Sequence, residues 1–128
     1  MKIAHIALWT SNLDRLCTFW AETFGAVVGD LYESRRRPGF SSRFLRLAEG
    51  PEIEIMQGPW IAEAGQNLEE RAGYAHLALS LGSKSAVDAM AAQAQKRGIL
   101  VSPARMTGDG FYEAVLRDPD GNLIEITA

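Results

Sequence analysis

Two histidines and two glutamates stand at matched positions in this sequence and together could hold a metal ion. His5 precedes Glu54 by 49 residues, and His76 precedes Glu125 by the same 49 residues. The chain has only 2 histidines, and both belong to this pattern. Two imidazoles and two carboxylates suit Ni²⁺, Zn²⁺, Co²⁺, Mn²⁺ or Fe²⁺, and on a six-coordinate ion they leave two positions for exchangeable oxygen ligands. The sequence therefore predicts one divalent ion per site without naming the metal.

The matched spacing belongs to an internal repeat with an offset of 71 positions. Ala4–Leu8 (AHIAL) recurs as Ala75–Leu79 (AHLAL), and Ile53–Ile55 (IEI) recurs as Ile124–Ile126. Self-similarity at a fixed offset indicates that one supersecondary unit occurs twice. The candidate ligands are therefore equivalent residues of two copies.

Each copy has the pattern of a β-α-β-β-β unit, in which an alternating strand precedes an amphipathic helix and three short strands follow. Each helix has a polar N-cap residue, Ser11 or Asn12 in the first copy and Ser83 in the second, and ends at a glycine, Gly25 or Gly98. The predicted strands lie at about 3–10, 26–33, 41–48 and 52–57, and at about 74–81, 99–105, 111–117 and 122–127.

These elements predict a single α+β domain built from two modules. The modules lie at about residues 1–58 and 74–128, and a linker at about 59–73 joins them. The linker segment contains Pro59 and Gly65 and has the composition of turns and loops.

Strand alternation places the four candidate ligands on one side of the sheets. Successive side chains of a strand point to opposite faces, and a helix needs an apolar face to cover. In the first strand Ile6 and Leu8 should face the helix, which leaves the histidine between them in sequence on the uncovered face. The same argument applies to the other strands that carry ligands. The side chains expected on the uncovered face are His5, Glu54, His76 and Glu125.

Three further side chains are predicted on this face as substrate contacts. Trp9 shares the face of the first histidine and could stack on a ligand. Phe111 and Glu113 turn to the same side if Leu116 faces the helices, and Glu113 is then a candidate second proton carrier. The run Arg35–Gly39 (RRRPG), in contrast, is typical of a solvated loop.

Charge and cysteine content narrow the class of protein. The 13 basic and 16 acidic residues give a net charge of −3, too mild for nucleic acid or an anionic membrane as the main partner, so a small molecule is expected. A single cysteine, Cys17, excludes an internal disulfide and fits a reducing cytosol.

The N-terminal apolar run is broken by His5 and by Thr10–Asn12, so neither a signal peptide nor a membrane span is predicted. We expect a soluble cytoplasmic protein.

Four segments resemble the vicinal oxygen chelate superfamily, which includes glyoxalase I, extradiol dioxygenases and bleomycin-binding proteins. The segments are Ala4–Leu8, Glu52–Ile55, Ala75–Leu79 and Asp118–Glu125 (DPDGNLIE). The resemblance implies tandem βαβββ modules that form a curved mixed sheet around a metal cleft, and it implies a homodimer. The module pattern agrees with the layout predicted from the residues.

With all four ligand positions filled, the metal site most resembles that of glyoxalase I. The resemblance implies a lyase or isomerase that abstracts a proton beside a carbonyl and stabilises an enediolate, on a small substrate with neighbouring oxygens. Glu125 is our choice of base and Glu54 the alternative, because symmetry alone does not separate them. Glyoxalase I enzymes carry an arginine where this chain has Trp9, and an asparagine shortly after the first glutamate, where Met56–Pro59 follow. Both differences weaken the expectation of glutathione as the thiol.

Two other functions fit the same superfamily. A non-catalytic protein of the bleomycin-resistance type would bind an antibiotic or a metabolite and would hold no stoichiometric metal. An Fe(II) extradiol dioxygenase would use two histidines and one carboxylate, and the presence of Glu54 as a fourth ligand argues against it. Metal content and oxygen uptake distinguish these alternatives from the lyase.

Overall fold

A computed structural model of the chain describes residues 1–62 and 72–128. The chain divides into two compact units, Met1–Gly65 and Gln66–Ala128. Part of the predicted linker, residues 63–71, lies outside the described residues, so the linker at about 59–73 stays a prediction. In the described residues each unit has one helix and one mixed sheet.

The order of elements in the first unit is β-α-β-β-β-β and in the second β-α-β-β-β. The elements are β1 (His5–Trp9), α1 (Leu13–Phe24), β2 (Val27–Val28), β3 (Tyr32–Glu33), β4 (Ser41–Arg46), β5 (Glu52–Gln57), β6 (Leu77–Ser80), α2 (Lys84–Lys96), β7 (Leu100–Met106), β8 (Tyr112–Arg117) and β9 (Leu123–Thr127). The sheet of the first unit has the strand order β1-β5-β4-β2, with β3 also paired to β4, and that of the second has the order β6-β9-β8-β7. In each unit the first and last strands pair in parallel and the other neighbours are antiparallel.

The strand predicted at about 26–33 is divided into the two short strands β2 and β3. Between them the backbone N–H of Gly29 donates to the carbonyl oxygen of Phe44 at 2.8 Å, and a Cβ at Gly29 would lie 2.9 Å from that same oxygen. The side chain of Arg43 donates to the carbonyl oxygen of Gly29 at 2.9 Å. The close approach at this glycine and the added side-chain hydrogen bond interrupt the regular ladder.

Both helices begin at the predicted polar caps. The side chain of Asn12 accepts from the backbone N–H of Arg15, and that of Ser83 accepts from the N–H of Ala86. Gly25 ends α1 in the left-handed region at φ 68°, which costs glycine little. Neither helix of the described residues is long and apolar enough to cross a membrane.

The apolar core of each unit lies between its helix and its sheet. Helix α1 packs on β4 and β5, and α2 packs on β7, β8 and β9. Cys17 lies in the first core, and its burial raises the pKa of the thiol. The prediction that Ile53, Ile55, Ile124 and Ile126 face the helices is confirmed. The apolar strand residues that are fully or almost fully buried in both copies are Leu45, Ile53 and Ile55, and Leu116, Ile124 and Ile126.

One buried carboxylate holds the turn between β8 and β9. Oδ1 of Asp118 accepts from the backbone N–H of Asp120 at 2.9 Å and from that of Asn122 at 2.8 Å. Its Oδ2 accepts from the side-chain amide of Asn122 at 2.8 Å. Burial raises the pKa of Asp118, and the hydrogen bonds from Asn122 and Asp120 oppose that rise. The turn fixes the start of β9 and therefore the position of Glu125 along that strand.

We predict that Asp118→Ala lowers the free energy of unfolding by about 1–3 kcal/mol, because the backbone N–H groups of Asp120 and Asn122 lose their acceptor in a partly buried turn. Urea unfolding monitored by circular dichroism measures the change. Asp30→Ala removes an exposed aspartate and should change stability by no more than about 0.5 kcal/mol. Equal effects of the two substitutions would contradict a structural role for the Asp118 turn.

Candidate metal centre

In the first unit His5 and Glu54 come together across the parallel strands β1 and β5. Ala7 is the direct partner of Glu54 on β1, and its small side chain leaves room for the carboxylate to lean toward His5. His5 Nε2 lies 3.9 Å from Glu54 Oε2. Phe44, the partner of Glu54 on β4, packs edge-on against the His5 ring with 5.7 Å between centroids. The imidazole is therefore packed against Phe44 and points toward the carboxylate.

The second unit repeats this arrangement with His76 and Glu125. Ala78 of β6 is the direct partner of Glu125 on β9, just as Ala7 is the partner of Glu54. His76 Nε2 lies 3.4 Å from Glu125 Oε2. The sequence repeat is thus also a repeat of side-chain geometry, with one imidazole and one carboxylate paired on the uncovered face of each sheet.

Each pair has the spacing and exposure that suit a divalent ion. Ligand atoms bonded at about 2.0–2.2 Å in adjacent positions of an octahedral ion are about 3 Å apart. The 3.4 Å of the second pair is close to this separation, whereas the 3.9 Å of the first pair requires a larger side-chain shift. The imidazoles are 48% and 42% exposed, and the carboxylates 17% and 15%, so an ion can reach donors that are partly withdrawn from water. Among residues 1–62 and 72–128, no group of three or more histidine, cysteine, aspartate or glutamate side chains is assembled to hold an ion. Each unit therefore provides half of the predicted donor set.

Glu125 has a second carboxylate beside it. Burial raises the pKa of Glu125, as do the charge of Glu113 and a hydrogen bond with it, whereas His76 lowers it. Arg105 Nη2 lies 3.6 Å from Glu113 Oε1 and partly balances this negative charge. Glu113, predicted as a contact on this face, thus lies next to a candidate ligand. Arg105 was not predicted, because its approach depends on the register shifts in β7.

The equivalent positions of the first unit carry different side chains. Ser42 stands where the second unit has Glu113, and Ser34 stands where it has Arg105. Glu54 faces Phe44 on β4, and Glu125 faces Val115 on β8. The two candidate bases therefore lie in unlike surroundings, a difference that the repeat pattern could not show.

Trp9 belongs to a cluster that we call the aromatic shelf, made of Trp9, Arg37, Phe40 and Trp60. The Trp9 ring centroid lies 6.0 Å from that of Phe40 and 6.4 Å from that of Trp60. The guanidinium carbon of Arg37 lies 4.1 Å from the Trp60 centroid, 5.6 Å from that of Trp9 and 5.7 Å from that of Phe40. The run Arg35–Gly39 is exposed, as predicted, but the Arg37 guanidinium packs on rings. Sequence reasoning missed this packing, because the charge run carries no signal for it.

Phe111 comes just before β8 and is 53% exposed, and the backbone N–H of Thr107 donates to its carbonyl oxygen. The next residue, Tyr112, turns toward the helix side and donates its hydroxyl to Asp88 of α2 at 2.6 Å. The predicted alternation therefore holds at Tyr112 and Glu113. A role for Phe111 as a substrate contact stays a prediction.

Residues 2–126 match the sequence model of the Glyoxalase/Bleomycin resistance protein/Dioxygenase superfamily. The chain belongs to this superfamily. This superfamily member is also 32% identical to the uncharacterized protein PA2024 of Pseudomonas aeruginosa over 127 residues, which cover 98% of this chain and 86% of that protein. The vicinal oxygen chelate resemblance is thus confirmed.

Solved structures show the fold of this superfamily member. A glyoxylase/bleomycin resistance protein/dioxygenase domain from Frankia sp. matches 99% of this chain and 96% of its own with a TM-score of 0.82 and 19% identity. A trypanothione-dependent glyoxalase I from Leishmania major matches 99% of this chain and 86% of its own with a TM-score of 0.76 and 20% identity. Glyoxalase I from Zea mays matches 98% of this chain and 44% of its own with a TM-score of 0.79 and 18% identity. The predicted α+β glyoxalase-like fold class is confirmed.

We predict that Glu113→Gln lowers the pKa of Glu125, because the substitution removes a neighbouring negative charge, while burial continues to hold the pKa above its ordinary value. Carboxyl carbon NMR titration of the metal-free protein measures the change. Glu49→Gln removes an equal but exposed charge and should leave the Glu125 titration unchanged. An unaltered Glu125 titration in Glu113→Gln would show that the two carboxylates do not interact.

Proposed function

We propose that this superfamily member is a metal-dependent lyase or isomerase of the glyoxalase I type, acting on a small substrate with neighbouring oxygens. The observation that carries the proposal is the repeated pair, an imidazole nitrogen 3.9 or 3.4 Å from a carboxylate oxygen on the uncovered face of each sheet. In the proposal both pairs bind one divalent ion, Ni²⁺, Zn²⁺, Co²⁺, Mn²⁺ or Fe²⁺, within a homodimer. The proposed ligands are His5, Glu54, His76 and Glu125.

A bound divalent ion would supply Lewis-acid polarisation of the two substrate oxygens and stabilise the enediolate, an effect typically worth several kcal/mol. The imidazoles of His5 and His76 would be the nitrogen donors, and the Phe44 ring limits rotation of the first. Glu125 takes the proton from the carbon beside the carbonyl and later returns it. Its carboxyl holds the proton between these events, and in the metal-free protein burial and the nearby Glu113 raise its pKa.

The different surroundings of the two glutamates support Glu125 as the base over Glu54. The carboxylate of Glu113 can share a proton with Glu125, and Arg105 keeps Glu113 in place. At the corresponding places the first unit has Ser42 and Ser34, whose hydroxyls carry no charge. The proposal therefore assigns proton transfer to Glu125 and metal binding alone to Glu54.

Metal binding tests the ligand set. We expect about one Ni²⁺ or Zn²⁺ per site after dialysis, measured by plasma emission spectroscopy, and we expect His5→Ala and His76→Ala each to weaken binding by about 100-fold or more. Asp30→Ala, an exposed control, should retain the metal. If only one histidine variant lost affinity, the four-ligand site would be wrong. Wild-type protein that binds ligands but takes up no metal would instead be a binding protein of the bleomycin-resistance type.

Turnover tests the base. We expect Glu125→Gln to reduce methylglyoxal consumption by about 10²–10⁴-fold when rates are compared at equal metal occupancy, because the amide cannot accept the proton. Glu54→Gln, compared at the same occupancy, should lose less. The assay uses glutathione and several other thiols, and Trp9 leads us to expect another thiol to support faster turnover. Glu125→Gln protein with full metal and full turnover would refute the assignment, and oxygen uptake with catechols would favour the dioxygenase.

A further inference from the structure

The aromatic shelf is not part of the proposed metal site. Trp9 is on the same face of β1 as His5 and four residues later, about 13 Å along the strand. All four shelf residues belong to the Met1–Gly65 unit. Trp9 is 39% exposed and Trp60 44%, so large ring surfaces face solvent beside a cation. Exposed aromatic side chains grouped around a guanidinium are a candidate ligand surface.

Backbone hydrogen bonds fix the position of Arg37. The N–H of Ser34 donates to the carbonyl oxygen of Phe40, and the N–H of Phe40 donates to that of Arg37, both at 3.0 Å. The N–H of Arg37 donates to the hydroxyl of Ser34 at 3.0 Å. These three bonds close the loop from Ser34 to Phe40, so Arg37 leaves the backbone at a defined position.

Two glycines allow the second wall of the shelf to approach this loop. A Cβ at Gly39 would lie 2.8 Å from Cδ of Pro59, and Gly39 also has a positive φ of 82°. A Cβ at Gly58 would overlap the ring of Trp60. A larger residue at either position would push Trp60 away from Arg37. The shelf is therefore built by close backbone packing rather than by a chance meeting of long side chains.

The chemistry of a stacked guanidinium indicates what the shelf can bind. Stacking on a ring uses the face of the guanidinium and leaves its in-plane N–H donors available for a carboxylate. Among residues 1–62 and 72–128, no aspartate or glutamate forms an ion pair with Arg37. Arg37 already supplies a cation to these rings and would repel a second one. The open donors favour an anionic ligand.

We infer that the aromatic shelf binds a planar carboxylate, whose oxygens pair with Arg37, whose flat surface lies against Trp9 and whose edge meets the nearly perpendicular ring of Trp60. As a substrate subsite this inference depends on the function proposed above. If the shelf is a substrate subsite, the substrate carries an aromatic or conjugated carboxylate arm, because a three-carbon compound at His5 cannot span about 13 Å to Trp9.

Binding of two probes of equal shape tests the inference. 2-Naphthoate and 2-naphthamide are titrated into the purified protein at low salt, and dissociation constants are measured by calorimetry and by quenching of tryptophan fluorescence. We expect 2-naphthoate to bind about tenfold more tightly, because only it forms a charge-assisted pair with Arg37. Equal affinities for the two probes would overturn the inference.

Matched variants locate the charge and the ring. Arg37→Gln should abolish the preference for naphthoate, whereas Arg36→Gln, an equal change in the same exposed loop, should keep it. Gly58→Ala should weaken both probes, because it displaces Trp60 without altering any shelf side chain. An equal loss in both arginine variants would indicate general charge attraction and contradict a specific site.

A cationic probe separates the inference from its main rival. If phenyltrimethylammonium bound more tightly than 2-naphthoate, the rings would form a cation site and the inference would be wrong. These measurements require neither turnover nor metal. Failure of the proposed reaction with intact naphthoate binding, or the reverse, would therefore show which of the two proposals is incorrect.

Discussion

Parallel pairing of the first and last strands in each unit is the constraint on which the candidate centre depends. It sets Ala7 beside Glu54 and Ala78 beside Glu125, so each carboxylate reaches the histidine two positions earlier on the neighbouring strand. A slip of one residue would turn the glutamate toward the helix and bury a charge in the apolar core. Parallel neighbouring strands need a crossover connection. Each helix is part of that connection and therefore helps to bring histidine and glutamate together.

The same constraint explains why two nearly equal pairs can have different chemistry. Strand register fixes the position of each glutamate, but the residues facing it come from the adjacent antiparallel strand. In the first unit that strand provides Phe44, which packs on the imidazole. In the second it provides Glu113, which raises the pKa of Glu125. The aromatic neighbour packs against the imidazole of the first pair, whereas burial and the carboxylate neighbour favour the protonated form of Glu125, so the two pairs lie in different surroundings.

The features of the fold that depend on residue periodicity and on helix caps could be predicted from the sequence. The repeat, both helices, the buried isoleucines and the fold class all follow from patterns of two and 3.6 residues and from Asn12 and Ser83 as caps. The division of the strand at Gly29 was missed, because it depends on a backbone contact with a distant carbonyl oxygen. Arg37 on Trp60 was missed for a related reason, since loop closure and contacts at Gly39 decide it. Side-chain contacts that depend on irregular backbone produce no periodic pattern in the sequence, so they cannot be predicted from it.

Comparison of the two copies shows how strongly packing determines residue identity on the two faces of each sheet. On the helix side Leu45 matches Leu116, and Ile53 and Ile55 match Ile124 and Ile126, because each core must fill a similar space at high density. On the uncovered face the candidate ligands keep their identity, as do Ala7 and Ala78 beside them and Arg46 and Arg117, while Trp9 corresponds to Ser80 and Ser42 to Glu113. Neither core packing nor strand propensity requires a histidine and a glutamate at an uncovered position. Their retention in both copies is therefore better explained by ligand binding than by folding.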